Sequence, residues 1–353
     1  MKTVLVTGGA GFLGSHLALR WKEENPNDKI IAFDNLKRRG SELNISRLRS
    51  KGIEFFHGDI RIKEDLFALP KIDLILECSA EPSVMAGINS SPDYLIQTNL
   101  IGTLNCLELA RRDKSDFVFF STSRVYPIES LNQADWKESE TRFEWNDKQK
   151  LSGVSSLGIT ESFPLEKPRS LYGSTKLASE LIIQEYGDTY GLRTLINRCG
   201  VLTGPWQMGK IDQGVVVFWL ASHVYKRNLK YFGYGGKGKQ VRDLLHVEDL
   251  YALLKLQIGS WELSNGQTFN VGGGREVSVS LLELTDICQK ITGNKIEIES
   301  VLEDRQADIR IYLSDCTKVK NTFGWRPKYD PETILKEIHI WIQENSLILA
   351  NIL

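Results

Sequence analysis

Charge of one sign, sulfur and long apolar runs are all scarce in this sequence, and each shortage removes a class of function. With 44 Lys and Arg against 45 Asp and Glu, the formal net charge is -1. That leaves no concentrated positive field of the kind that draws proteins to nucleic acid. Any anionic ligand must be held locally, and no nucleic-acid partner is expected. The five cysteines, Cys78, Cys106, Cys199, Cys288 and Cys316, are odd in number, scattered and without a Cys-x-x-Cys pair. Neither a disulfide framework nor a zinc site is suggested; reduced thiols, a cytoplasmic location and no bound metal are the expectation. The apolar stretch before the first glycines, Val4-Leu-Val6, is far too short for a signal peptide or a membrane span, so no membrane partner is expected.

What is present is the material for a large core. Of 353 residues, 41% are hydrophobic and 25% charged, enough at this length to form two lobes. Short β-branched runs at Lys2–Thr7, Lys29–Phe33, Ile53–His57, Ile72–Glu77 and Phe117–Phe120 alternate with helix-length amphipathic stretches. Runs apolar on both faces and separated by helices are what a parallel sheet covered on both sides requires. From residue 198 onward the character changes to glycine-rich turns, Gly233-Tyr-Gly-Gly and Gly272-Gly-Gly, with helices predicted near 247–258, 278–291 and 330–345. The reading is an α/β chain: a doubly wound parallel sheet over residues 1–197, and a smaller C-terminal α/β substrate-binding lobe over 198–353, partly interleaved with it. Phe269–Val271 is free to return to the main sheet. The polar stretch between Pro127 and Arg169 is too long for an ordinary connection and predicts a loop over the active site.

Gly8, Gly11 and Gly14 stand three apart immediately after the first strand and open the first helix. Backbone amides at that helix's N-terminus can then approach a pyrophosphate unobstructed, the Rossmann-type arrangement. Taken alone, the glycines also suit a tight strand-to-helix turn. Asp34 adds weight: it ends the second strand 20 residues after Gly14, where a carboxylate accepts hydrogen bonds from the adenosine ribose and repels a 2′-phosphate. NAD is therefore expected rather than NADP, although Arg38 and Arg39 lie near enough to compromise that preference. Asp59 and Ile60, after the third strand, would meet the adenine amino group and ring; a turn aspartate is the plainer alternative.

Tyr172 and Lys176 are four apart on a predicted helix, so they share one face, and the ammonium can lower the phenol's pKa. Tyr251 and Lys255 show the same spacing, so position has to decide. Tyr172 follows the fifth strand and its Ser121-Thr122-Ser123 exit, where a hydroxyl at a strand's carboxyl end would meet a cofactor crevice; Tyr251 follows Val241-Arg-Asp and has no such partner. Thr122 is expected to bond the same substrate hydroxyl as Tyr172.

Together, GGAGFLGSH from Gly8, DNL at 34–36, GDI at 58–60, Ser121-Thr122, Val125-Tyr126 and Tyr172-x-x-x-Lys176 resemble extended short-chain dehydrogenase/reductases that modify nucleotide sugars. Further segments, Asp34-Asn-Leu-Lys-Arg-Arg-Gly, Asp212-Gln213-Gly214, Gly238-Lys-Gln-Val-Arg242-Asp, Phe269-Asn-Val-Gly-Gly and Arg305-Gln-Ala-Asp308, resemble the branch that epimerises CDP-linked hexoses at carbon 2. The resemblance implies that Thr122, Tyr172 and Lys176 are catalytic. It implies that Phe12, Leu13, Asn35, Leu36, Arg39, Ser79, Ala80, Asn99 and Ser121 join Gly8, Gly11, Gly14, Asp34, Asp59 and Ile60 around NAD. Pro82, Ser83, Arg124, Asn197, Arg198, Gln213 and Gly214 would line the nucleotide-sugar site. Arg242 and Arg305, with Asp308 beside them, would hold the diphosphate, which bidentate guanidinium contacts suit.

The activity so implied is epimerisation by transient oxidation to a keto sugar and re-reduction, in a homodimer or homotetramer built through helices at 92–112 and 170–190. A nucleotide-sugar 4-epimerase is the nearest alternative, and a non-catalytic NAD-binding protein a more distant one. A 4,6-dehydratase would need an Asp-Glu pair where Ser123-Arg124 stand. The loop Glu77-Cys-Ser-Ala-Glu-Pro-Ser83, together with Pro127 and Trp206, departs from the branch's usual residues and leaves the nucleobase and sugar open.

Overall fold

The computed structural model describes residues 1–210, 213–305 and 307–353; Asp212 and Gln306, quoted above, lie outside them. The chain forms two compact units, one of Met1–Thr122, Leu171–Arg198 and Tyr251–Thr268, the other of Ser123–Ser170, Cys199–Leu250 and Phe269–Leu353. This interleaving goes further than a boundary at 197/198. Residues 251–268 return to the first unit, and residues 123–170 leave it.

A seven-stranded sheet underlies the first unit, its last strand running on past Thr268. Its strands, numbered in chain order, are β1 (Thr3–Thr7), β2 (Lys29–Asp34), β3 (Glu54–His57), β4 (Leu74–Glu77), β5 (Asp116–Thr122), β6 (Thr194–Cys199) and β7 (Gln267–Val271). They stand in the order β7-β6-β5-β4-β1-β2-β3. β1 pairs in parallel with both β2 and β4, setting Leu5 opposite Ile31 and Ile75. The fully buried rows of β1, β2 and β4 explain why their sequences read as continuous apolar runs rather than alternating ones. Leu5, Ile31, Phe33, Ile75, Phe117 and Phe119 share one core cluster with Leu107 and Ile183 from two covering helices, Gly102–Asp113 and Leu171–Tyr190. Phe269–Val271, free to return to the main sheet on sequence, lies within β7.

The second unit holds a small mixed sheet in which Val241–His246 pairs antiparallel with Ser278–Ser280 and parallel with Ile311–Tyr312 and Val201–Thr203. The helix predicted to start at 278 begins at Leu281, because Ser278–Ser280 is a strand and Ser280 caps the helix: its hydroxyl accepts from the Glu283 amide, while Glu283 reaches back to the Ser280 amide. Asp330 caps Pro331–Glu344 by its side chain alone, accepting the Thr333 amide. The polar stretch predicted as a loop contains a helix, Ile128–Asn132, and a hairpin pairing Trp136–Glu138 with Phe143–Trp145. Phe143 and Trp145 are buried and alternate with Glu144. Arg142 anchors the hairpin by a bidentate pairing with Glu283 and a bond to the Ser278 carbonyl. Among the described residues no helix is long and apolar enough to cross a membrane.

Candidate active site

The turn after β1 is shaped by what its glycines leave out. Gly8 takes φ +61, and its carbonyl accepts the Gly11 amide at 2.9 Å. A Cβ on Gly14 would overlap the Gly8 carbonyl oxygen and stand 2.7 Å from its carbon, so helix Phe12–Glu24 can start this close to the strand only without a side chain there. Phe12 and Leu13 occupy its first turn, after Gly11 at the N-cap. Gly9, outside the three-residue spacing, is as tightly placed: a Cβ would lie 2.7 Å from the Ala32 Cα. Asn44 closes the turn from the other side, donating to the Ala10 carbonyl at 2.8 Å.

Asp34 is tied into the same turn. One carboxylate oxygen accepts the Ala10 amide at 3.1 Å and the other accepts the Leu36 amide at 2.7 Å. Burial outweighs these bonds and pushes its pKa up. Asp59 stands beside it through Asn35, whose amide nitrogen donates to the Asp59 carboxylate at 3.0 Å. Burial opposes ionisation of Asp59, but the Arg61 guanidinium and Asn35 win and hold it at about 2. Ile60 is buried against Gly102, where a Cβ would clash with it. Arg39 is exposed. A glycine turn opening a helix N-terminus, followed by a carboxylate locked at the end of β2, fits the diphosphate and adenosine ribose of NAD.

Beyond β4 the loop carrying Ser79, Ala80, Pro82 and Ser83 is stitched to Asn99. The Asn99 side chain accepts the Glu81 amide at 2.7 Å, returns a bond to the Glu81 carbonyl at 3.0 Å, and reaches the Thr175 hydroxyl at 3.3 Å. Asn99 lies in a π-helical turn, Gln97–Ile101, set between helical residues Asp93–Ile96 and Gly102–Asp113. Such a turn breaks the regular backbone ladder, and here the Asn99 carbonyl accepts the hydroxyls of Thr103 and Ser179. The loop is thereby fixed to helix Leu171–Tyr190, which carries Tyr172 and Lys176.

Tyr172 is half-buried in the first turn of that helix, and its carbonyl accepts the Thr175 hydroxyl. Lys176 is 2% exposed, its ammonium 3.7 Å from the Phe119 ring centroid and 3.9 Å from the Glu77 carboxylate at the end of β4. Thr122 is the last residue of β5, half-buried, and Ser121 before it donates to Glu180. Tyr251, by contrast, spends its hydroxyl on the Arg20 carbonyl, and Lys255 pairs with Glu24. The spacing that matched in sequence is a packed helix face there.

Not all candidates gather in one place. Asn197 is fully buried in a reciprocal amide pair with Gln257, and Arg198 makes a bidentate pairing with Glu180, both partners nearly inaccessible. In the second unit, Asp308 draws its neighbours together: it accepts Arg242 at 3.0 Å, and its amide donates to the Arg305 carbonyl. Arg124 donates to the Ala307 carbonyl, and Arg305 lies over the Phe232 ring. Asn132 and Arg310, which the sequence did not single out, join this cluster; the Arg310 guanidinium stands 4.1 Å from the Trp136 ring and 4.9 Å from Tyr234. Gln213 exchanges backbone bonds with Lys210, and Gly214 caps helix Val215–Val224 with φ +71.

The first unit's sheet, glycine turn and Tyr-Lys helix define a Rossmann-type enzyme that works with NAD. The comparisons agree. Residues 4–272 match the NAD dependent epimerase/dehydratase family, and the chain belongs to it. The CDP-paratose 2-epimerase of Salmonella typhi is 33% identical over 96% of this chain and 98% of its own. The UDP-glucose 4-epimerase of Thermotoga maritima, solved with UDP-glucose, superposes with a TM-score of 0.79 at 26% identity, covering 98% of this chain and 99% of that one. The dTDP-glucose 4,6-dehydratase of Bacillus anthracis, solved in complex with NAD, gives 0.76 at 26%, covering 98% of each chain. The protein is thus an NAD-dependent member of the nucleotide-sugar epimerases and dehydratases.

Proposed function

We propose that the protein epimerises a nucleotide-activated hexose at carbon 2, in the manner of CDP-paratose and CDP-tyvelose, by transient oxidation to a keto sugar. The observation that carries this reading is the placement of Tyr172 and Lys176 on a helix pinned through Asn99 to the loop after β4, in a chain one-third identical along its length to a CDP-paratose 2-epimerase. NAD, when bound, supplies the acceptor and then the donor of hydride. Tyr172, prepared by the Lys176 charge, takes the proton of the substrate hydroxyl and later returns it. Thr122 holds the same hydroxyl. Arg242 and Arg305 supply cationic contacts for the diphosphate, so that binding energy from the remote nucleotide is available to position the ring.

Ser123-Arg124 directly after Thr122 weighs against dehydration, which needs an added acid and base. Inversion at carbon 4 is the second reading, supported by the likeness to a UDP-glucose 4-epimerase. Assembly through helices Gly102–Asp113 and Leu171–Tyr190 as a homodimer or homotetramer belongs to the same proposal; Leu181 and Tyr190 on the latter are more than half exposed. The test is turnover of CDP-paratose deuterated at carbon 2, with CDP-, GDP- and UDP-hexoses alongside. Product inverted at carbon 2 with its deuterium retained is expected. Uptake of solvent deuterium at that carbon would refute hydride transfer, and inversion at carbon 4 would move the chemistry to the second reading.

A further inference from the structure

Glu77 carries a charge that the reaction as described leaves unused. It ends β4 with no exposed surface, its backbone paired to Thr7 of β1 and Phe119 of β5. Its carboxylate faces the Lys176 ammonium at 3.9 Å. Neither oxygen accepts a hydrogen bond of good geometry, and the Ser79 amide and Thr7 hydroxyl favour the anion less than Lys176 does. From helix Gly102–Asp113 the titratable group facing it is the Cys106 thiol, which burial holds neutral; its partner across β5 is Phe119, which carries no titratable group. A buried carboxylate poorly served by hydrogen-bond donors is costly unless a charge compensates it.

We infer that Glu77 is the positioning residue of Lys176: its carboxylate keeps the ammonium charged in an apolar pocket, and with it the charge that prepares Tyr172. This rests on the reading of Tyr172 and Lys176 given above. At this separation the carboxylate's attraction opposes the cost of burying the ammonium. Burial pushes Glu77 up to about 7 against the pull of Lys176. The carboxylate is therefore lost below neutrality, and the support it gives Lys176 goes with it.

Glu77→Gln keeps the shape and removes the charge. Trace acetylation of the NAD-loaded protein across a pH series, with the Lys176 peptide quantified by mass spectrometry, reads the amine's titration directly, because only the neutral amine reacts. The midpoint is expected to fall by at least about one pH unit in Glu77→Gln and to recover in Glu77→Asp. An unchanged midpoint overturns the proposal. If Glu77→Gln does not fold, the double variant Glu77→Gln/Lys176→Met is expected to fold, since neither charge is then stranded; a double variant that also fails overturns it. None of these readouts uses turnover, so a fully active Tyr172→Phe would defeat the catalytic reading and leave this result standing.

Discussion

Adding a single methyl group at Gly14 should separate the cofactor cradle from the rest of the fold. A Cβ there overlaps the Gly8 carbonyl oxygen and stands 2.9 Å from the Gly9 Cα. All these atoms are backbone, so the loop itself must move. Forcing a methyl into a closed space costs about 1–3 kcal/mol. If that cost falls on the conformation whose amides meet the pyrophosphate, the NAD dissociation constant rises about 5- to 150-fold. Gly11 offers a weaker version, its Cβ 3.0 Å from the same oxygen with nothing else within 3.9 Å. Gly52 is the control: a Cβ meets nothing within 4 Å, yet φ is +69, so Ala costs about 1 kcal/mol in backbone strain. Calorimetric titration of cofactor-stripped protein with NAD, beside thermal melting, should rank affinity losses as Gly14→Ala, then Gly11→Ala, with Gly52→Ala lowering only the melting temperature. Equal NAD affinity in Gly14→Ala and Gly52→Ala would refute the cradle.

Tyr172→Phe should lower turnover by about 10²–10⁴-fold, while Tyr251→Phe, which removes the bond to the Arg20 carbonyl, should leave it nearly intact; equal losses would mean the wrong tyrosine. Glu180→Gln strands the buried Arg198 charge and should cost about 3–5 kcal/mol in denaturant unfolding, so wild-type stability would refute the pairing. Arg242→Ala and Arg305→Ala should each raise the Michaelis constant for the nucleotide sugar by about 30-fold or more, equivalent to about 2–5 kcal/mol for a buried contact, with NAD content unchanged; unaltered constants in both would relocate the diphosphate.

The parallel sheet and glycine turn were readable because they follow local rules: buried strands are continuous apolar runs, and a helix pressed against a strand end demands glycine. Spacing could not separate Tyr172 from Tyr251, and position was the ground for choosing Tyr172. Other features escaped because their partners lie far along the chain. Glu180 reads as a charged helix residue until Arg198 is seen beside it, and Asn44 as a helix-start asparagine until it meets Ala10. Arg310 lies among Trp136, Phe143 and Tyr234, about 75 to 175 positions away. The hairpin at 136–145 was hidden by its charge, although the alternation Phe143-Glu-Trp145 was there to be read as a strand with one buried face.

The order in which the first unit's pieces leave the ribosome sets a timetable for its folding. β5 is complete at Thr122, but its neighbour β6 starts at Thr194 and β7 at Gln267. At roughly 5–20 residues per second, the nascent sheet waits on the order of 10 s with the edge of β5 open, then about as long again for β7. An open, apolar strand edge is a template for the wrong partner. Chains stalled near residue 190 should therefore associate or be cut by protease where chains stalled beyond residue 271 resist; equal resistance at both lengths would show that the early strands close without them.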